Sequence, residues 1–326
     1  MKLKLYRISK GLGACDLFFR LSPNLAKSLK YLAAAGLLLA VAWFIDIGDA
    51  IAILKQTNYL WLIPAVLIIQ LQIVLSAWRW RITAARLGQE LPFRRAVSEY
   101  YLATVANLSL PGGVTGDAAR VYRNRQTRTL STAVHSVMLE RLAGQLALFV
   151  VSVIGWMLWP LLMKTSVPVF GYRVLAGTLG VVLVLALTLY LVGGFAPDRI
   201  KNALQAFGPA MHTAWWADRQ WLIQGVLSLS IVVTYLLVFL FSSYAVQSPL
   251  PFTAAISIVP MVLLSMLIPL SIGGWGMREA AAAVLWPVAG LSSEAGVATS
   301  VVYALISLFA CFPGLLLLYR SRSASA

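Results

Sequence analysis

Two adjacent charge pairs stand in long apolar segments of this chain. Glu140-Arg141 falls inside the stretch from Leu130 to Pro160, and Arg278-Glu279 is the only charged pair between Arg219 and Glu294. Asp117 and Arg120 lie shortly before the first pair. Ionisable groups in apolar surroundings are costly, usually paired, and functional candidates by default. Arginine suits phosphate because its planar fork bonds two oxygens at once. The chemistry on offer is therefore the holding of an anionic group by Arg120, Arg141 and Arg278, with Glu140 and Glu279 as balancing carboxylates. The plainer alternative is a pair of structural ion pairs joining helices. His135 reads as a helix-packing residue. Cys15 and Cys311 suggest neither a disulfide nor a metal site. No Gly-x-x-x-x-Gly-Lys-Ser/Thr pattern occurs, so no ATP hydrolysis by this chain is expected.

Each pair follows a copy of one repeated motif. Residues 91–98 read LPFRRAVS and residues 250–257 read LPFTAAIS. About twenty residues after each comes a proline with a glycine cluster: Pro111, Gly112, Gly113 and Gly116 in the first copy, Pro269, Gly273, Gly274 and Gly276 in the second. The spacing between copies is constant to within a residue or two. One unit has therefore been used twice, and paired interruptions of this kind in hydrophobic segments point to a substrate site. Glycine permits tight turns because it has no Cβ. Helix starts at Gly116-Asp117 and Gly276-Met277, with Asp117 as a candidate N-cap, would aim N–H groups at an anion.

The elements that must carry these residues are membrane helices. Of 326 residues, 60% are hydrophobic and 11% charged, against roughly 25% charged in soluble domains. Uncharged runs at Gln56–Trp78, Leu142–Met163, Val174–Pro197, Gln220–Met277 and Ala295–Tyr319 are each long enough for a hydrocarbon core that takes about 20 helical residues. Tyr31–Ile45 adds a shorter one. No cleavable signal peptide is apparent. Trp156, Trp159, Trp215, Trp216 and Trp221 read as interfacial belt residues.

Charge bias sets the expected topology. The net charge is +15, which the positive-inside rule explains better than nucleic acid does. Nine arginines fall within 79–128, whereas the linker 247–254 carries no charge. The loop holding Arg79, Arg81, Arg86, Arg94 and Arg95 is expected in the cytoplasm, as is the cluster Arg120, Arg123, Arg125 and Arg128. The segment Ala96–Pro111 between them then cannot cross and must dip and return. Thr253–Ile272 would do the same from outside. The expectation is an all-α polytopic membrane protein: about six transmembrane helices plus two re-entrant helical hairpins in an inverted repeat. Spans are placed near 30–48, 58–78, 130–160, 174–195, 220–246 and 296–319. A basic cytoplasmic arm covers 1–28, the transmembrane domain 29–320 (repeat 1 about 58–163, repeat 2 about 220–320), and a short cytoplasmic tail 321–326.

The stretches Asn107 to Arg120 (NLSLPGGVTGDAAR) and Pro269 to Glu279 (PLSIGGWGMRE), with Glu140-Arg141, resemble the lysylphosphatidylglycerol synthetase transmembrane region, or flippase-like domain, family over about residues 30–320. The resemblance implies a polytopic bundle that moves phospholipids or lipid-linked sugars between leaflets. The aminoacyl-transfer domain of bifunctional members is not expected in a chain ending at Ala326. The leading function is translocation of an anionic phospholipid or lipid-linked sugar across the bacterial inner membrane, without a cofactor and without catalysis. A membrane-embedded transferase using Glu140, Glu279, Asp117 or His135, or a non-catalytic scaffold, are the alternatives. Expected partners are membrane lipids and, beyond them, a second copy of the chain or a lipid-modifying enzyme, but no nucleic acid.

Overall fold

The computed structural model describes residues 47–109, 114–124, 129–163, 198–267 and 273–313, with 172 and 176 as isolated positions. All regular structure among them is helical: α1 Ile47–Lys55, α2 Leu62–Arg86, α3 Phe93–Ser109, α4 Thr115–Asn124, α5 Leu130–Met163, α6 Asp198–Met211, α7 Gln220–Ala245, α8 Phe252–Ser265, α9 Met277–Leu285 and α10 Ser293–Ala310. Four helical stretches are long and apolar enough to cross a membrane: Tyr59–Arg86, Leu130–Met163, Gln205–Ala245 and Ser293–Ala310. They coincide with four of the six expected spans. The other two, near 30–48 and 174–195, lie outside the described residues, as do the tips Pro111, Gly112, Gly113 and Pro269.

The doubled motif becomes a doubled arrangement. In each half an apolar helix is followed by a pair of shorter helices and then by another apolar helix: α2, α3–α4, α5 and α7, α8–α9, α10. Within each half every helix packs on the next. The α3–α4 pair folds back on itself. At the start of α4 Thr115 Oγ1 donates to the Ala106 carbonyl and the Gly116 N–H to Asn107 Oδ1, and toward its end Arg123 Nε donates to Glu99 Oε2 at 2.6 Å, so α4 runs back along α3. Gly116 makes the fold-back possible, because a Cβ there would lie 2.1 Å from the Ala103 carbonyl oxygen. In the α8–α9 pair, Gly273, Gly274 and Gly276 hold φ values of +58°, +85° and +88°, a region that glycine enters at no steric cost.

The two pairs meet. A Cβ on Gly273 would lie 2.4 Å from the carbonyl oxygen of Leu108 at the end of α3. Elsewhere the halves are joined by small-residue contacts, the packing expected where lipid gives helices no hydrophobic drive to associate. Gly155 of α5 leaves room for Ser257 of α8, and Ser152 Oγ donates to the Ser257 carbonyl. Beside them Trp156 and Trp159 stack at 5.0 Å and are 2% and 1% exposed, with Trp156 Nε1 donating to Met261 Sδ. They are core residues, not the belt residues expected from sequence. Trp216 and Trp221 do stand exposed.

The glycine contact gives a test. Gly273→Ala must strain both the backbone and the Leu108 carbonyl, so it should lower the thermal unfolding midpoint in detergent by several degrees. Gly225→Ala, in a helix where a Cβ meets nothing, should hold or raise it, since alanine is up to about 1 kcal/mol better in a helix interior. Equal midpoints for the two variants would contradict the contact.

Candidate functional site

Residue 140 is where the first half converges. α5 is apolar through most of its length and carries Glu140 ten residues in, about 15 Å along the axis at 1.5 Å per residue. The side chain is fully buried. An ionised carboxylate cannot sit in such a place without donors, and three other helices supply them. Arg79 of α2 gives Nη2 to Oε1 at 2.7 Å, Tyr100 of α3 gives its hydroxyl to Oε1 at 3.1 Å, and Arg120 of α4 gives Nη2 to Oε2 at 3.3 Å. Arg79 Nη1 also donates to Ser228 Oγ of α7 at 2.9 Å.

Arg120 is the second node. Its guanidinium carbon lies 4.7 Å from the Trp80 ring centre and 4.6 Å from that of Tyr100, a cation held between two π faces. Nη2 reaches Asp117 as well as Glu140, while Nε and Nη1 are buried with no hydrogen-bond partner. Asp117 in turn pairs with Arg141, whose Nη2 donates to Oδ1 at 2.9 Å and whose Nε lies 2.8 Å from Oδ2 without a hydrogen bond. Burial alone would push the Asp117 carboxyl up, but the Arg141 and Arg120 guanidiniums outweigh it and hold it below the usual carboxylate range. Asp117 is the third residue of α4, not its N-cap; its carboxylate serves the arginines instead. The Arg141 side chain is 37% exposed and forms the open face of the cluster.

Glu140 and Arg141 do not pair with each other. Neighbours on an α-helix point about 100° apart at 3.6 residues per turn, so Glu140 turns toward Arg79 and Arg120, and Arg141 toward Asp117. Arg79, assigned from sequence to a cytoplasmic loop, is a buried member of the cluster because α2 continues to Arg86. Trp80 and Tyr100 were missed too. The signal that could have found Arg79 is its spacing: three residues after Ser76 and four before Thr83, it lies beside the buried stripe of α2. His135 makes an edge contact with Phe207 at 5.8 Å.

The second half repeats the plan with different charges. Arg278 stands nine residues after Pro269, as Arg120 stands nine after Pro111. It too lies between rings, 5.6 Å from the centre of Trp275 and 5.2 Å from that of Tyr303. Its Nη2 donates to Glu279 Oε1 at 2.6 Å and its Nε to Ser300 Oγ at 2.8 Å, with Nη1 buried and unpartnered. Glu279 also accepts from the Gly276 N–H at 2.7 Å and from Ser300 Oγ at 3.0 Å. This carboxylate caps α9 and holds its arginine. Ser300 of α10 occupies the place that Glu140 of α5 holds in the first half.

The model of the family described as the lysylphosphatidylglycerol synthase TM region matches residues 28–314, which take in both clusters and every described helix. A comparison with curated proteins gives no match.

Removing one partner from a buried ion network costs about 3–5 kcal/mol, whereas an exposed pair is worth about 0–1 kcal/mol. Glu140→Ala should therefore lower the unfolding midpoint far more than Arg86→Gln, which breaks the 2.6 Å pair with the exposed Asp218 and a 3.4 Å bond to the Thr213 carbonyl, both at the surface. Comparable losses in the two variants would contradict the role given to Glu140.

Proposed function

The chain belongs to the lysylphosphatidylglycerol synthase TM-region family, a multi-pass membrane family linked to lipid handling, and we propose that it carries an anionic lipid head group between leaflets. The observation that supports this most is the first cluster. Three guanidiniums and two carboxylates lie at the fold-back of a short helix pair, beside an apolar helix long enough to cross the bilayer. Arg141 is the part that a ligand meets from outside. Behind it Arg120 has two nitrogens, Nε and Nη1, with no acceptor, an expensive state for a buried charge unless an anion completes it.

In this reading the phosphate docks on the Arg141 fork and then on Arg120, while the acyl tails stay in the hydrocarbon. Non-helical backbone at membrane depth is tolerated only when buried in protein or lining a wet cavity. The glycine turns of α3–α4 and α8–α9 therefore suit re-entrant hairpins that enter from opposite faces. The full arrangement is six spans and two hairpins in an inverted repeat, with both termini cytoplasmic and the bacterial inner membrane as the location. Alternating access is rocking of one half against the other around the contact between Leu108 and Gly273. Arg278 and Glu279 stand at the second hairpin as its counterpart of Arg120. The protein acts as a transporter rather than an enzyme, alone or as a homo-oligomer or beside a lipid-modifying enzyme.

The test is reconstitution into liposomes with a head-group-labelled phosphatidylglycerol. Wild-type protein should accelerate transbilayer movement over empty liposomes. Arg141→Gln should slow it by roughly tenfold or more, the loss expected for a charge-assisted hydrogen bond, while lowering the unfolding midpoint less than Glu140→Ala does, because its side chain is partly exposed and Asp117 keeps Arg120 as a partner. A wild-type rate equal to that of empty liposomes, with and without a proton gradient, would contradict the proposal.

A further inference from the structure

The two hairpins place an arginine at the same offset but surround it with different charge. Around Arg278 the described residues balance: one guanidinium, one carboxylate, and Glu279 satisfied by three donors. Around Arg120 they do not. Arg79, Arg120 and Arg141 face Asp117 and Glu140, which leaves one positive charge over. The neighbouring pair Arg123–Glu99 is neutral and does not alter the sum. The difference traces to single positions. α5 offers Glu140 where α10 offers Ser300, and α2 adds Arg79.

We propose that the first cluster takes a head group bearing a single negative charge, a phosphodiester, and discriminates against doubly charged phosphomonoester and diphosphate head groups. The proposal rests on the anionic-lipid reading above and narrows its substrate class. An uncompensated charge in low dielectric is expensive, so a ligand of one negative charge neutralises the occupied site. A dianion restores the penalty with the opposite sign. The donors fit the same ligand. A phosphodiester offers two unesterified oxygens, one for the Arg141 fork and one for the unpartnered N–H groups of Arg120. Asp117 already occupies the Arg141 fork, so the arriving phosphate competes with a carboxylate of equal charge, a one-for-one exchange. Polyprenyl phosphodiester-linked sugars satisfy the rule, and polyprenyl diphosphates do not.

The experiment uses the full chain in zwitterionic phosphatidylcholine micelles at pH 8, with thermal stabilisation as the measure of binding. Four short-chain probes are titrated: phosphatidylglycerol, phosphatidylmethanol, phosphatidic acid and further phosphatidylcholine. Phosphatidylmethanol and phosphatidic acid differ by one methyl group, which removes the second negative charge. The two diesters should half-saturate at similar concentrations, and phosphatidic acid should need at least about tenfold more, a lower bound on the cost of a single uncompensated charge at an effective dielectric near that of protein surfaces. Asp117→Asn raises the site by one positive charge and should erase or reverse that preference. The wild-type series alone decides the matter if this variant does not fold. Phosphatidic acid binding as tightly as phosphatidylmethanol, or more tightly, would overturn the charge rule while leaving the anionic-lipid reading intact. Failure of every anionic lipid to exceed phosphatidylcholine would overturn that reading itself. Glycerophosphoglycerol, the tail-free head group, reports the source. Stabilisation only by the tailed lipid assigns the ligand to the bilayer, and equal stabilisation by the tail-free ester overturns the lipid as its source.

Discussion

A carboxylate buried in an apolar helix is the constraint around which the first half of this protein is organised. Glu140 has no exposed surface, and its charge is tolerable only because donors from α2, α3 and α4 reach it. Each donor fixes the helix that carries it. Arg79 sets the rotation of α2 and through Ser228 ties in α7. Tyr100 and Arg120 hold the two arms of the folded-back pair against α5. An apolar residue at position 140 would leave Arg79 and Arg120 without their shared carboxylate and those helices without a common reference. Buried ion networks are weak evidence for stability; what this one supplies is geometry, together with a surplus of positive charge beside a partly exposed Arg141.

The second half keeps the architecture and drops the surplus. Its arginine lies between two rings and bonds a carboxylate, but the carboxylate belongs to the adjacent residue and also caps the helix. Charge, helix start and hairpin turn are thus tied together within Gly273–Glu279. The doubled motif therefore describes two turns of similar shape and unequal electrostatics. On the proposed charge rule the asymmetry matters, because two equal clusters would hold two anions, whereas one cluster with a surplus and one that is balanced would hold one. The contact between Gly273 and the Leu108 carbonyl brings the turns close enough for movement of one pair to be felt by the other.

Much of the fold was legible in the sequence because the bilayer imposes length and polarity on every element. Hydropathy located α2, α5, α7 and the start of α10 to within a few residues, apart from the extra turns that carry α2 to Arg86; α10 itself ends at Ala310, nine residues short of the expected 319. The proline–glycine spacing located the two fold-backs. What stayed hidden depended on partners distant in the chain. Arg79 reads as a loop residue because five arginines crowd residues 79–95, and only its 2.7 Å bond to Glu140 shows otherwise. Trp156 and Trp159 read as belt residues because tryptophan favours interfaces; the small residues Ser152 and Gly155, which bring α8 close, bury them instead. Glu140-Arg141 reads as one ion pair, whereas helical geometry sends the two side chains to different partners.

The central claim is that a lipid phosphate completes the Arg120–Arg141 cluster. It is tested most directly by a cryo-electron microscopy structure of the protein in phosphatidylglycerol-containing nanodiscs. The predicted result is phosphate density within hydrogen-bonding distance of Arg141, with Asp117 displaced from its fork. Lipid density confined to the outer helix faces, with Asp117 still bound to Arg141 and the Nε and Nη1 of Arg120 still without an acceptor, would contradict it.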